Sequence, residues 1–396
     1  MKWASAVSRA GDADAAIEEL AASVGTSLAA PPHLVFLFAS GHHRIAFDRL
    51  GRGLRARLGG ARVVGCSATG VIGGAQEVEQ EPAIAITAAC LPDVAIDCWR
   101  VEADDLRPGT AHSERLARLA ASRAGPAQLL VLADPFSFPT ERLLRALEHA
   151  FDASVVCGGL ASGGGAPGEC ALFLDERLCY TGALVLALDG DIEMLTAVAQ
   201  GCRPIGEPLF VSACDGNKLV TLDGRRPWDV LNDLFAAASA HDRELMQHSL
   251  FLGLAMRAGE TRYGQGDFLI RNVLGGDADS GALRVGANLH ENQVVQFHLR
   301  DANTSAEDLE RTLAGLATAL GPAPAAGGLL FSCTGRGAGL YGIAGHDSAA
   351  LHAALGALPL GGFFCNGEIG QVAGIPFVHG YTSAVAVFRP RSTTPA

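Results

Sequence analysis

Four glycine-rich stretches hold most of the chemistry-bearing side chains that stand out in this 396-residue chain: GCSATGVIGG from Gly65, CGGLASGGG from Cys157, SCTGRGAGLYG from Ser332 and FFCNGEIGQVAG from Phe363. Each follows an apolar run. Glycine admits positive φ and lets backbone N–H groups face a pocket, so such turns suit an anionic or carboxylate group, or serve only as tight connections. Two of them carry a charged residue, Arg336 and Glu368. Arg336 offers a bidentate fork to a carboxylate and Glu368 an acceptor to an ammonium group, so a zwitterion such as an amino acid fits; the competing reading is a salt bridge between the two.

Stronger motifs are absent. The sequence has no GxxxxGK[ST], and Gly335-Arg336-Gly337-Ala338-Gly339 lacks the downstream strand and acid of a dinucleotide fold, so nucleotide binding is unsupported. There is no GxSxG nucleophile elbow. A cysteine enzyme using Cys66, Cys333 or Cys365 with His379 is conceivable, but no third group orients the pair, and the reading is non-catalytic. His379, in FVHGYTSAVAVF, could coordinate haem iron or bond a backbone carbonyl; without CxxCH any haem would be non-covalent. The ten cysteines form no CxxC pair and no zinc spacing, which points to thiols packed as small hydrophobes in a reducing compartment.

The elements that must position these turns are legible as a repeat. Residues 33–39, 44–58, 61–65 and 83–89 read as strand, helix, strand and strand, with the first glycine turn after the third element. The same order returns at 128–133, 140–150, 153–162 and 182–188, and again at 327–333, 347–357, 361–370 and 383–389. First strand and glycine turn are separated by about 30 residues each time, a spacing that suggests internal duplication. A helix over 12–29 precedes the first copy. Between the second and third copies lie a hairpin around Gly216, a helix opening at Pro227, four strand-like runs over 250–300 and a helix at 305–320.

These elements predict an α+β fold of two domains built from mixed sheets, with an N-terminal helix at 1–29, domains at 30–220 and 221–390 and a disordered tail at 391–396. The formal charge of −12 argues against nucleic acid, whose binders are basic. No window reaches 18 uncharged apolar residues and the N-terminus is acidic, so neither a membrane span nor a signal peptide is expected and the protein should be cytoplasmic.

The stretches GLLFSCTGRG, GGFFCNGEIGQVAG and FVHGYTSAVAVF closely resemble the FIST C-terminal domain, and FLFASGHH, VVGCSATGVIGG, LLVLADPFSF and VVCGGLAS resemble the FIST N-terminal domain, with AVAQGCRPIGEPLFV between them. The likeness spans roughly residues 30–389. It implies a bacterial sensory module for small ligands, amino acids having been proposed, with haem-bound nitric oxide sensing and a partner histidine kinase in some members. The motif positions it points to are Gly65, Cys66, Ser67, Gly70, Gly158, Gly159, Arg203, Cys333, Gly335, Arg336, Asn366, Gly367, Glu368 and His379. No kinase, cyclase, methyl-acceptor or F-box segment accompanies them, so the expected output passes to a separate protein.

Overall fold

The computed structural model describes residues 1–107, 109–121, 126–151, 153–257, 259–260 and 262–391. Residues 392–396, most of the expected tail, lie outside the described residues. The described residues form two compact units: one comprises those of 1–198, 310–378 and 382–391, the other those of 199–309 with 379–381. A single seam near 220 therefore does not describe the packing. The third repeat pairs its strands with those of the first and second, which draws the C-terminal segment back into the first unit.

In that unit the repeats exchange hairpins in a ring. The first sheet runs Lys2–Ser8, Ile84–Cys90, Leu34–Ser40, Arg62–Ala68 and then the hairpin Leu172–Leu174 and Arg177–Cys179, which belongs to the second repeat. The second sheet joins Val94–Val101, Ala183–Gly190, Gln128–Ala133 and Val155–Leu160 to the third repeat's hairpin Glu368–Val372 and Ile375–His379. The third joins Glu193–Gln200, Thr382–Arg389, Gly327–Cys333 and Leu360–Cys365 to the first repeat's hairpin Gly70–Gly73 and Gln76–Glu79. Each sheet thus ends on a neighbour's hairpin, and no repeat completes a sheet alone.

The residue pattern explains the layering. Leu34–Ser40 is buried at every position because one face meets a helix and the other the centre of the unit. Outside, the helix Ala13–Leu28 sets Ala16, Ile17, Leu20 and Val24 against Val35, Leu37, Ile84 and Ile86. Inside, Phe36, Phe38, Cys66, Leu132, Cys157, Phe363 and Cys365 share one core drawn from all three repeats. The strand Lys2–Ser8, unforeseen in the sequence, buries Trp3, Ala4, Ala6 and Ser8; Trp3 stacks on Phe388 at 4.7 Å. One glycine recurs at the same place in each repeat. A Cβ on Gly65, Gly158 or Gly362 would lie 1.7, 1.9 and 1.9 Å from the carbonyl oxygen of Leu37, Val131 and Leu330, respectively, each residue's partner on the adjacent parallel strand. That shared geometry supports the duplication read from the sequence.

The second unit is a closed antiparallel barrel of six strands: Cys202–Asp215, Lys218–Leu222, Leu283–Val285, Phe268–Gly276, Leu250–Ala255 and Val294–Arg300. Alternating residues fill it, among them Val211, Leu219, Leu252, Leu283, Val295 and Phe297. The helices Pro227–Ala237 and Ala240–His248 accompany the barrel; Pro at the first position of one and the Ser239 cap on the other open them as capping chemistry dictates.

Candidate functional site

Within the three-sheet unit the glycine turns meet and are sewn together by hydrogen bonds. Ser162, on the second repeat's turn, is the hub: its Oγ accepts from the Thr69 amide at 2.8 Å and donates to the Phe364 carbonyl at 2.5 Å, so one hydroxyl ties all three repeats. Ser67 Oγ donates to the Ser162 carbonyl at 2.8 Å and accepts from the Ala171 amide at 2.9 Å. The Leu160 amide donates to the Gly367 carbonyl and the Asn366 amide to the Leu160 carbonyl, at 2.8 and 3.1 Å, while Thr334 donates its amide to the Cys365 carbonyl at 2.9 Å. Thr69, Thr334 and Asn366 are exposed, whereas Arg336 and Glu368 on the same stretches are buried.

Arg336 and Glu368 are both sealed, at 1% and 0% exposure. The mutual salt bridge foreseen as the competing reading does not form. The Arg336 fork is engaged by Asp347, Nε to Oδ2 at 2.7 Å and Nη2 to Oδ1 at 3.1 Å, and Nη2 also donates to the Tyr341 hydroxyl at 2.5 Å. Only Nη1 is left without a hydrogen-bond partner. Burial works against both charges of this pair, but the opposite charge and its hydrogen bonds prevail, holding the Arg336 guanidinium ionised and the Asp347 carboxyl well below the ordinary range. Ser332 Oγ and His346 Nδ1 also bond Asp347, at 2.9 and 3.1 Å.

Glu368 has a different environment. Its Oε2 accepts from the Thr382 amide and hydroxyl at 3.2 and 2.8 Å, whereas Oε1 has no partner. Burial pushes its carboxyl up to about 8, only partly opposed by Thr382 and by the charge of Arg336. A third acid, Glu77 of the first repeat's hairpin, accepts from the Ser348 amide at 2.7 Å through Oε1 and leaves Oε2 buried and unpaired. Burial and the nearby Asp347 raise it. Arg336 Nη1, Glu368 Oε1 and Glu77 Oε2 are thus buried without hydrogen-bond partners, and elsewhere in the unit so are His43 Nε2, Arg55 Nε, Arg62 Nε and Asp134 Oδ1.

The remaining sequence candidates divide. Gly65, Gly158 and Gly159 are buried inside strands rather than on turns, and Gly70 opens one; a Cβ on Gly159 would come 2.5 Å from Cys365 Sγ, so that thiol packs where a side chain would otherwise stand. Cys66 and Cys365 are core side chains whose thiols burial pushes well above the ordinary range, the opposite of what a nucleophile needs. Cys333 is buried, with the Gly335 amide 3.4 Å from its sulfur. Arg203 belongs to the barrel unit, where it pairs with Asp242 and, at 3.1 Å, with Asp301. His379 is buried at 3%. A porphyrin needs an apolar slot beside an imidazole. The apolar groove of the barrel unit is lined by Trp228, Phe235, Met246 and their neighbours with no histidine, so the residues present do not make a haem site of it.

The sequence reading passed over Ser162, Glu77, Tyr341 and Asp347. Ser162 lies inside the CGGLASGGG motif and was legible as a hydroxyl on a turn; Glu77 and Asp347 look like ordinary surface acids until strand exchange and burial place them.

The FIST N domain model matches residues 33–225 and the FIST C domain model residues 227–371. An uncharacterized protein of Mycobacterium tuberculosis is 36% identical over 391 residues, covering 96% of this chain and 98% of the relative. One of Mycobacterium bovis is 34% identical over 379 residues, covering 95% and 96%. Among solved structures, the cyanuric acid hydrolase of A. caulinodans aligns over 98% of this chain and all of its own at 12% identity and a TM-score of 0.37, too slight a likeness to bear on fold or chemistry. No helix among the described residues is long and apolar enough to cross a membrane. With both domain models matched in order along its length, the chain belongs to the FIST family of sensory domains in signal transduction.

Proposed function

We propose that the protein is a non-catalytic sensor that binds a small zwitterion, an amino acid, at the junction of the glycine turns, and passes the signal to a separate protein such as a histidine kinase. One observation carries the reading: a guanidinium Nη1 and a carboxyl Oε1, on Arg336 and Glu368, are buried without partners in the same unit. An unsatisfied buried polar group costs about 1–3 kcal/mol, so a ligand supplying a carboxylate to one and an ammonium to the other gains by satisfying both. Entry requires the turns to part, which gives ligand-linked movement a physical basis. The cytoplasm, where free amino acids and kinases meet, is the compartment this reading needs.

Binding an ammonium group would favour the ionised form of Glu368, whose carboxyl stands near 8 in the free protein. Proton release is therefore built into the reading. The test is a calorimetric and thermal-shift screen of the amino acids at pH 7 in buffers of different ionisation enthalpy. Saturable binding with a raised Tm and release of up to one proton is expected, and both should vanish in Glu368→Gln, which keeps an acceptor for Thr382. A screen with no amino acid shifting the Tm, or unchanged binding to Glu368→Gln, overturns it.

A further inference from the structure

We propose a second small-molecule site, in the barrel unit: it takes an amphipathic carboxylate, hydrocarbon part in a groove beside the helix Pro227–Ala237 and anionic head between Lys218 and Arg284. The groove encloses about 310 Å³ and is lined mainly by apolar side chains, Trp228, Leu231, Phe235, Met246, Val273 and Leu283, with Asn232 and Gln247 as its polar members. That volume is at the small end of the range for ligand pockets. A second hollow of about 300 Å³ is lined by Lys218, Asp277 and Arg284.

Gly275 and Gly276 line both hollows, so the apolar and the basic parts meet over their backbone. The pairing slips at this point. A register shift between Val273 and Gly275 makes a bulge at Leu274, whose side chain is exposed, and the two glycines follow it on the strand. A Cβ on Gly276 would stand 3.1 Å from the Trp228 ring and 3.2 Å from Leu283, against the groove wall.

The head site has its own argument. Lys218 and Arg284 are register partners on adjacent strands, and Arg284 is in turn the partner of Gly275, so two cations and the bulge share one cross-strand row. Like charges set directly opposite destabilise a sheet. Asp277 offsets them in part, its Oδ2 3.9 Å from Lys218 Nζ, but it also accepts from the amides of Asp279 and Ser280 and is one acid against two bases. In a chain of formal charge −12 with only two lysines, a doubly basic row opening onto an apolar groove matches a molecule with one anionic end and one apolar end.

The experiment is calorimetric titration of the full chain with straight-chain carboxylates of six to twelve carbons and with the matching alcohols. Kd should fall about fourfold per added CH₂ until the groove is filled, and the acid should bind at least about tenfold tighter than its alcohol. In the double variant Lys218→Gln, Arg284→Gln, two surface changes, the acid should weaken to the level of the alcohol while the alcohol is unaffected. Gly276→Val, which fills the groove, should weaken both. Glu368→Gln should bind the acid as the unaltered protein does, which separates this site from the turn junction. The proposal is overturned by absence of saturable binding at every chain length, by an affinity indifferent to chain length, or by acid binding that survives the double substitution.

Discussion

In the three-sheet unit Arg336, Asp347, Glu77 and Glu368 are at most 5% exposed, whereas in the barrel unit Phe210, Trp228, Phe235 and Leu274 are 40–60% exposed. The three-sheet unit buries a cluster of charges, though it also exposes Ile45 and Ile343, while the barrel unit gathers exposed aromatic and aliphatic side chains. Each departs from ordinary folding economy, which buries apolar groups and solvates charges. Charges in a low-dielectric interior interact strongly and selectively with a polar ligand, while exposed aromatic and aliphatic side chains bind by area. The contrast predicts that substitutions in the first unit perturb folding and pH response, and that equivalent changes around the barrel groove leave the fold alone.

The sharpest way to break this comparison is Asp347→Ala. It strips the Arg336 fork of both its carboxylate bonds and removes the acceptor of Ser332, leaving a fully buried cation. Removing one partner of a buried pair costs about 3–5 kcal/mol, much of it from the charge left behind. Urea denaturation should show that loss. A variant within about 1 kcal/mol of the unaltered protein would mean the Arg336 pocket is wetter and looser than its packing implies.

The pH response sharpens the comparison further. Glu368 is held near 8 by burial, above the ordinary carboxylate range of an unfolded chain. A group with a raised folded pKa stabilises below its unfolded pKa, and that contribution fades as pH rises through the folded value. Stability should therefore decline between about pH 4.5 and 8, by at most about 1.4 kcal/mol per pH unit from this residue. Glu368→Gln should remove that part of the decline. Identical curves for the two proteins would place the carboxyl in water rather than in the core.

The repeat and the barrel strands were legible because each has a local signature, apolar runs of strand length, glycine at fixed offset and alternation around Gly216, whereas Gly65, Gly158 and Glu368, read as turn residues, lie in strands. Hairpin exchange was not. Each hairpin lies close in sequence to its own repeat, so nothing local says that Gly70–Gly73 completes the third sheet or that Glu368–Val372 completes the second. The same non-locality hid the true partners of the charged residues. Arg336 and Asp347 are eleven positions apart across a turn and a helix start, and Glu77 reaches Ser348 from 271 residues away. Arg336 and Glu368 were found because charge on a glycine turn is unusual; what they bond could only come from the assembled unit.

The smallest expected effect tests the other half of the comparison. Phe235 is 40% exposed on the groove, and its backbone carbonyl, which accepts from Arg243 Nε at 2.9 Å, does not depend on the ring. Burying a whole phenylalanine is worth about 1.5–3 kcal/mol, so replacing this partly exposed ring by serine should cost no more than about 1 kcal/mol. If the barrel keeps such surface for a ligand, Phe235→Ser will be close to silent in urea denaturation yet weaken the binding of a long-chain carboxylate. A loss of several kcal/mol would instead make Phe235 part of the barrel's structural core, and the groove would then be a seam in the packing with no claim to recognition.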